Sequence, residues 1–303
     1  MADTEVCPYQ LSADFRISSI GPTEGARVAA EREVNPETEQ PGAPLIRTVQ
    51  VIRYVTPLRE GGSLPAVVEA DDLGTYVLKF RGAGQGAKVL IAELLAGEIA
   101  RTLGLPVPEI VFAQLDPILA RSEPDPEIQA LIEASAGLNL ALDYLPGSFA
   151  FDPQDARTLP PELASAIVWF DAYLTNVDRT ARNTNMLLWH RQLYLIDNGA
   201  ALYAQYGGAS FPSRARNPFP QIRDHVLLPA ASRLAEIDAE LSARLTPEVI
   251  AGIVATIPES WLDDPAYPGP KAQRAAYAAF LSERLRAPRG FVLEAIDARA
   301  ALV

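Results

Sequence analysis

Between Phe170 and Ala200 the chain reads FDAYLTNVDRTARNTNMLLWHRQLYLIDNGA, an apolar run, a polar loop, two short β-like runs and then a single carboxylate. Leu163, Ile167, Phe170 and Leu174 recur at helix spacing, as a helix with a buried face requires. Met186 to Trp189 and Leu193 to Ile196 are short apolar runs that read as the two arms of a hairpin. Asp178 and Asn183 stand on the intervening loop as D-x-x-x-x-N, and Asp197 ends the second arm, followed by Asn198-Gly199. That order leaves little freedom: three oxygen-bearing side chains are carried to one end of a helix and a hairpin.

Any one of these residues alone is ordinary turn chemistry, because Asp and Asn accept hydrogen bonds from nearby backbone and Gly tolerates positive φ. Taken together they match the layout of phosphoryl-transfer catalytic loops. In that layout the first aspartate accepts the proton of the acceptor hydroxyl, the asparagine holds a metal ion, and the aspartate after the hairpin binds Mg²⁺. Asp178 is then the candidate base, with Asn183 and Asp197 as candidate metal ligands.

Composition narrows the alternatives. With 303 residues and 49% hydrophobic content, the chain can bury a sizeable core. A net charge of -12 argues against a nucleic-acid groove as the main function, since backbone binding needs clustered Lys and Arg. One cysteine, Cys7, forms no intramolecular disulfide, and two histidines are too few for a His-built metal centre. Oxygen-ligated Mg²⁺ is the metal chemistry that remains. No apolar run is long enough to span a bilayer and no secretory signal opens the chain, so the expectation is a cytoplasmic protein without a membrane partner.

Residues 1 to 44 are polar, rich in Glu and Pro and without periodicity, and read as a flexible segment. Order is expected from about Ile46: a strand over Thr48 to Val55, a loop with Gly61-Gly62-Ser63, a strand over Ala66 to Ala70, a tight turn, and a strand over Thr75 to Phe80. Three antiparallel strands with a glycine loop after the first form a phosphate-binding layout, in which backbone N–H groups of Gly61, Gly62 and Ser63 cradle phosphate. Lys79 lies in the third strand among residues that want burial, so it needs a partner or a ligand. Only Lys79, Lys88 and Lys271 are lysines among 26 cationic residues. A helix over Ala87 to Leu103, stopped by Gly104 and Pro106, offers Glu93 and Glu98 as partners for Lys79. At about 100° per residue the two project in different directions, and the helical wheel leaves the choice between them open.

The runs YVLKFRGAGQGAKVLIAELLAGEIARTLGLPVPEI, FDAYLTNVDRTARNTNMLLW, LYLIDNGAAL and FPQIRDHVLL resemble the HipA-like kinases, over roughly residues 46 to 300. The resemblance implies an α+β, bilobal protein-kinase-like fold, ATP with Mg²⁺, and transfer to Ser or Thr. It implies Glu93 as the partner of Lys79, Asp178 as the base, and Asn183 and Asp197 as metal ligands. Arg179 follows Asp178, where eukaryotic protein kinases place Arg before the aspartate, an order closer to phosphatidylinositol kinases; beside the base it is expected to neutralise the carboxylate or the γ-phosphate. Asn198 replaces the phenylalanine of D-F-G.

The expected organisation is a segment over 1–44, a small antiparallel-sheet N-lobe plus one helix over 45–145, and a larger, mainly helical C-lobe over 146–303. Backbone groups of Asp143, Tyr144 and Leu145 are expected to hold adenine at the hinge. Gln205 to Pro220 is expected to form an activation-segment equivalent, with Ser210 and Ser213 as loop serines and His225 as a structural histidine. Trp261 and Phe280 are expected in the core. The acceptor is a protein or small-molecule hydroxyl, and an antitoxin-like or operon partner is a candidate. Two alternatives stand beside a Ser/Thr kinase: a small-molecule or lipid-headgroup kinase on the same fold, and a nucleotide-binding regulator with little transfer activity.

Overall fold

In the computed structural model residues 46–58, 64–84 and 86–302 are described; the expected segment 1–44 and the Gly61-Gly62-Ser63 loop lie outside them. β1 (Thr48–Pro57), β2 (Ala66–Ala70) and β3 (Thr75–Lys79) form consecutive antiparallel pairs. β4 (Ile110–Leu115) and β5 (Gly137–Asp143) then complete a closed five-stranded barrel in the order β1-β2-β3-β5-β4. β1 and β4 pair in parallel, Val49 opposite Ala113. The expected antiparallel sheet is therefore corrected to a mixed barrel. Its physical reason is closure: β4 covers the free edge of β1, which would otherwise present unpaired N–H and C=O groups. Alternate side chains of each strand point inward, and Val49, Val51, Val68, Leu78, Val111 and Ala141 fill the interior.

α1 (Ala87–Leu103) follows β3 and is buried on almost every face, because it lies between the barrel and the helical region that follows. Gly97 permits that fit: a Cβ there would stand 2.1 Å from Ile110 Cδ1. Gly104, in the left-handed region at φ 78°, ends the helix, and Leu105 N–H donates to Ala100 O at 2.9 Å; the pair closes the last turn as a Schellman motif. A second helix, α2 (Pro126–Ala134), capped by Asp125, inserts Ile128 and Ile132 into the barrel core. The expectation of one helix in this region is corrected to two.

α3 (Pro161–Leu174) is buried from Leu163 to Leu174 and forms the centre of the larger core. Thr175 ends it in the left-handed conformation at φ 52°. A small sheet in the order β6-β7-β8 comes next, from β6 (Phe149–Ala150), β7 (Met186–Trp189) and β8 (Gln192–Leu195). His190 and Arg191 make its two-residue turn, both at positive φ, as a type I′ hairpin requires. After short 3-10 turns between Tyr203 and Ala230 come α4 (Leu234–Arg244), α5 (Pro247–Ala255), α6 (Pro270–Arg284) and α7 (Gly290–Ala300); α4 and α7 pack on α3, α6 reaches it through Arg284 and the Leu281 carbonyl, and α5 packs on α6 and α1. Trp261 and Phe280 are both fully buried. Among the described residues no helix is long and apolar enough to cross a membrane.

Candidate functional site

Lys79 is the last residue of β3, and a lysine ending an inward-facing strand is buried with it, at 5% exposure. Its Nζ lies 2.6 Å from Asp197 Oδ1 and 3.9 Å from Glu93 Oε2. Burial alone would lower the Lys79 pKa, but the carboxylates of Glu93 and Asp197 outweigh it and hold the value above the ordinary one. Of the two candidate glutamates, Glu93 faces the lysine, whereas Glu98 pairs with Arg101 Nη1 at 2.9 Å. Glu93 is itself buried, and that burial raises its pKa against the pull of Lys79.

Gly199 sets how closely α1 approaches. A Cβ at Gly199 would stand 2.6 Å from Val89 Cγ1 and 3.7 Å from Glu93 Oε2, so only a glycine after Asp197-Asn198 lets α1 bring Glu93 to the lysine.

Two residues in the left-handed region bracket the β7-β8 hairpin, Asn185 at φ 48° and Asp197 at φ 51°. Asn and Asp adopt that conformation at lower cost than other side-chain-bearing residues. Ile196 N–H donates to Asn185 O at 3.0 Å, which holds the two ends of the hairpin together. Asp178 receives two amides on one oxygen: Asn183 Nδ2 donates to its Oδ2 at 2.8 Å and Asn185 Nδ2 at 3.2 Å. Asp178 Oδ1 carries no hydrogen bond among the described residues. Asn183 is exposed, while Asn185 is buried and its Nδ2 lies 3.5 Å from Asp197 O. Sequence reasoning passed over Asn185, although one signal was available: it is the asparagine that directly precedes the strand.

A buried polar network lies beneath the loop. Asp171, in the last turn of α3, accepts from Arg179 Nε at 2.6 Å, from Asn176 Nδ2 at 2.7 Å and from His225 Nε2 at 2.9 Å. Leu227 N–H donates to His225 Nδ1 at 3.0 Å, which leaves the ring proton on Nε2 to bond the carboxylate. Arg179 also donates to Asn198 Oδ1 at 2.6 Å and to the Asn185 carbonyl. The expectation that Arg179 neutralises Asp178 or a γ-phosphate is thereby corrected: its guanidinium is 0% exposed and turned into the core. A carboxylate buried in α3 demands a cation, and the residue one turn beyond the helix supplies it. Burial would raise the Asp171 pKa, yet Arg179 and His225 hold it below the ordinary 3.8.

At the expected hinge, the Asp143 N–H is engaged by Glu109 O at 2.8 Å and the Tyr144 N–H by Thr75 O at 3.0 Å. The N–H of Leu145, a residue 5% exposed, makes no hydrogen bond among the described residues. Trp189 Nε1 donates to Pro146 O at 3.0 Å, tying the hairpin to the same stretch. The segment over 205–220 is packed rather than extended. Phe211 stacks on Phe280 with centroids 4.3 Å apart, and Gln205 links the Lys88 carbonyl of α1 to Tyr277 of α6. Ser210 and Ser213 are exposed and donate to Gly207 O and Ser210 O.

No curated protein matches the sequence. Among solved structures the chain is similar to the Helicobacter pylori proinflammatory kinase CtkA, at 13% identity and TM-score 0.45, over 84% of this chain and 99% of that one. It is also similar to the Golgi casein kinase, at 13% identity and TM-score 0.40 over 85% of this chain and 73% of that one. The same kinase with Mn/ADP bound aligns at 14% identity and TM-score 0.41, over 86% and 75%. The family model described as HipA-like kinase matches residues 50–275, most of the chain, and the protein belongs to that family of phosphotransferases.

Proposed function

We propose that the protein is an ATP- and Mg²⁺-dependent kinase that phosphorylates Ser or Thr of a protein acceptor. In this reading the barrel with α1 acts as the nucleotide-side lobe and the helical region as the acceptor-side lobe, joined at Leu145. The observation that carries it is the meeting of Lys79, Glu93, Asp197 and Asp178 from four separate elements at one place.

The donor set fits a hard cation, which takes oxygen ligands. Among the described residues no group of three or more His, Cys, Asp or Glu side chains could hold a metal. The ligands here would be the Asp197 carboxylate and an asparagine amide oxygen. Asn185 is the better placed of the two asparagines, since it is buried with its Nδ2 3.5 Å from Asp197 O, whereas Asn183 is exposed; both donate to Asp178. When bound, Mg²⁺ supplies charge neutralisation for the phosphates. Lys79 is positioned to share that role, exchanging Asp197 for phosphate oxygens while Glu93 remains beside it. Asp178, fixed through Oδ2, uses Oδ1 to take the proton of the acceptor hydroxyl as that oxygen bonds to the γ-phosphorus and the bond to the leaving ADP breaks. Catalysis on this account is positioning and preorganised charge. The free Leu145 N–H would donate to adenine.

The test is calorimetric and thermal. Mg²⁺-ATP is expected to raise the melting temperature of the wild type and, with a hydroxyl-bearing protein acceptor, to yield phosphoprotein. Asp197→Asn and Asn185→Ala should each lose the Mg²⁺-dependent part of the shift, while Asn183→Ala keeps it. An identical Mg²⁺-ATP increment in Asp197→Asn would remove that residue from metal binding.

Lys79→Ala is expected to weaken nucleotide binding or turnover by roughly tenfold or more, the ~1.5–3 kcal/mol of a charge-assisted hydrogen bond. Lys79→Arg should fail as well, because a planar fork does not replace a compact ammonium between two carboxylates. Titration of ATP against both variants decides it, and unchanged affinity and turnover in both would defeat the assignment.

A further inference from the structure

From Asn198 to Arg223 the chain carries no Asp or Glu and three arginines, in a protein with 38 acidic residues and a net charge of -12. Such a stretch is out of character with the rest of the molecule, and its end is placed against the catalytic loop. Thr180 and His225 form an antiparallel bridge, and Val226 N–H donates to Arg179 O at 3.1 Å. Arg223 therefore stands two residues from a direct backbone contact with the Asp178 loop. On the other side, Thr180 and Asn183 exchange hydrogen bonds of 2.9 and 3.2 Å. They close a tight turn with Arg182 at its tip, and the Asn183 amide of that same turn holds Asp178.

Arg214 is exposed, its guanidinium lies against Gly207 and it has no ion pair among the described residues; the other arginines of this region divide into two groups. Arg179 is consumed by Asp171, and Arg216 by Glu283 Oε1 at 2.8 Å and two carbonyls. Arg182 is exposed and has no ion pair among the described residues. Arg223 is 73% exposed, and its nearest carboxylate, Asp224, is 3.9 Å away and itself 67% exposed. Arg182 and Arg223 face solvent, one at the tip of the Thr180–Asn183 turn and the other two residues before the Thr180–His225 bridge.

We propose that the acceptor is an acidic peptide segment: a serine or threonine flanked by aspartate or glutamate, whose carboxylates are read by Arg182 and Arg223. The proposal rests on the kinase reading above and adds the chemical class of its acceptor. Exposed pairs of this kind contribute little individually, roughly two- to fivefold each, and are screened by salt. Together they act as a charge filter and a steering field for an acceptor approaching an otherwise acidic protein.

The experiment uses the full chain, ATP with Mg²⁺, and three peptides with a central Ser and Thr and acidic, neutral or basic flanks. Phosphate incorporation is measured at low and high salt. The wild type is expected to favour the acidic peptide, with a margin that shrinks as salt rises. The double reversal Arg182→Glu/Arg223→Glu should cut kcat/KM for the acidic peptide on the order of tenfold or more, shift preference toward the basic one, and leave peptide-free ATP hydrolysis unchanged. Equal use of all three peptides, or a preference for the basic one in the wild type, overturns the acceptor class while the kinase reading stands. Transfer to a small phosphorylated alcohol but to no peptide overturns it in favour of a small anionic acceptor. Absence of both ATP binding and hydrolysis removes the kinase reading and this inference with it.

Discussion

Asp178→Asn is expected to lower phosphoryl transfer by roughly two to four orders of magnitude while leaving Mg²⁺-ATP affinity within a few-fold of wild type. The reason lies in how the carboxylate is held. Its Oδ2 accepts amides from Asn183 and Asn185, so an asparagine at this position can keep one of those contacts through its own oxygen and preserve the loop. What it cannot do is accept the acceptor's proton. Arg179 is engaged with Asp171 and takes no part in this loss. Isothermal titration with ATP, alongside transfer to protein or peptide, separates the two effects. A binding-only regulator would show no transfer even in the wild type, and equal rates in the two proteins would remove Asp178 from the mechanism.

Arg179→Met should be the most destabilising single change in the catalytic region, costing about 3–5 kcal/mol by leaving Asp171 buried without its cation. The effect has a distinctive pH dependence. In the wild type Asp171 titrates below its ordinary 3.8, so its contribution to stability is present above that value and is lost as pH falls. Without Arg179, burial prevails and the folded-state pKa rises above 3.8; ionising the carboxyl then opposes folding as pH rises. The stability gap between wild type and Arg179→Met should therefore be widest near pH 7 and narrow toward pH 4. Chemical denaturation at both pH values measures it, and a gap below about 1 kcal/mol or one indifferent to pH would show that Asp171 does not depend on this partner.

These two expectations differ in how legible they were. Asp178 announces itself through its interval to Asn183 and its place between a helix and a hairpin. Asp171 does not, because a single carboxylate at the end of an apolar helix carries no local mark of the three partners that reach it from residues 176, 179 and 225.

Local chemistry accounts for what the sequence determined by itself. α1 ends where Gly104 allows the left-handed conformation, and β2 and β7 begin and end where apolar residues give way to polar turns. Lys79, Asp178 and Asp197 stand out because charged or polar groups interrupt or end runs that otherwise bury. Only the tertiary structure decided the rest. Glu93 rather than Glu98 meets Lys79 because Gly97 and Gly199 set the depth and rotation of α1 against β4 and the loop after β8. The sheet became a barrel because β4, distant in sequence, found the open edge of β1. Arg179 turned inward, and Asn185 rather than Asn183 came to lie beside Asp197, because the buried Asp171 and the hairpin ends impose those directions. Periodicity and turn chemistry act over a few residues and are written in the chain; the choice among several carboxylates, amides and arginines depends on which are desolvated together, and that is set by contacts between elements far apart in sequence.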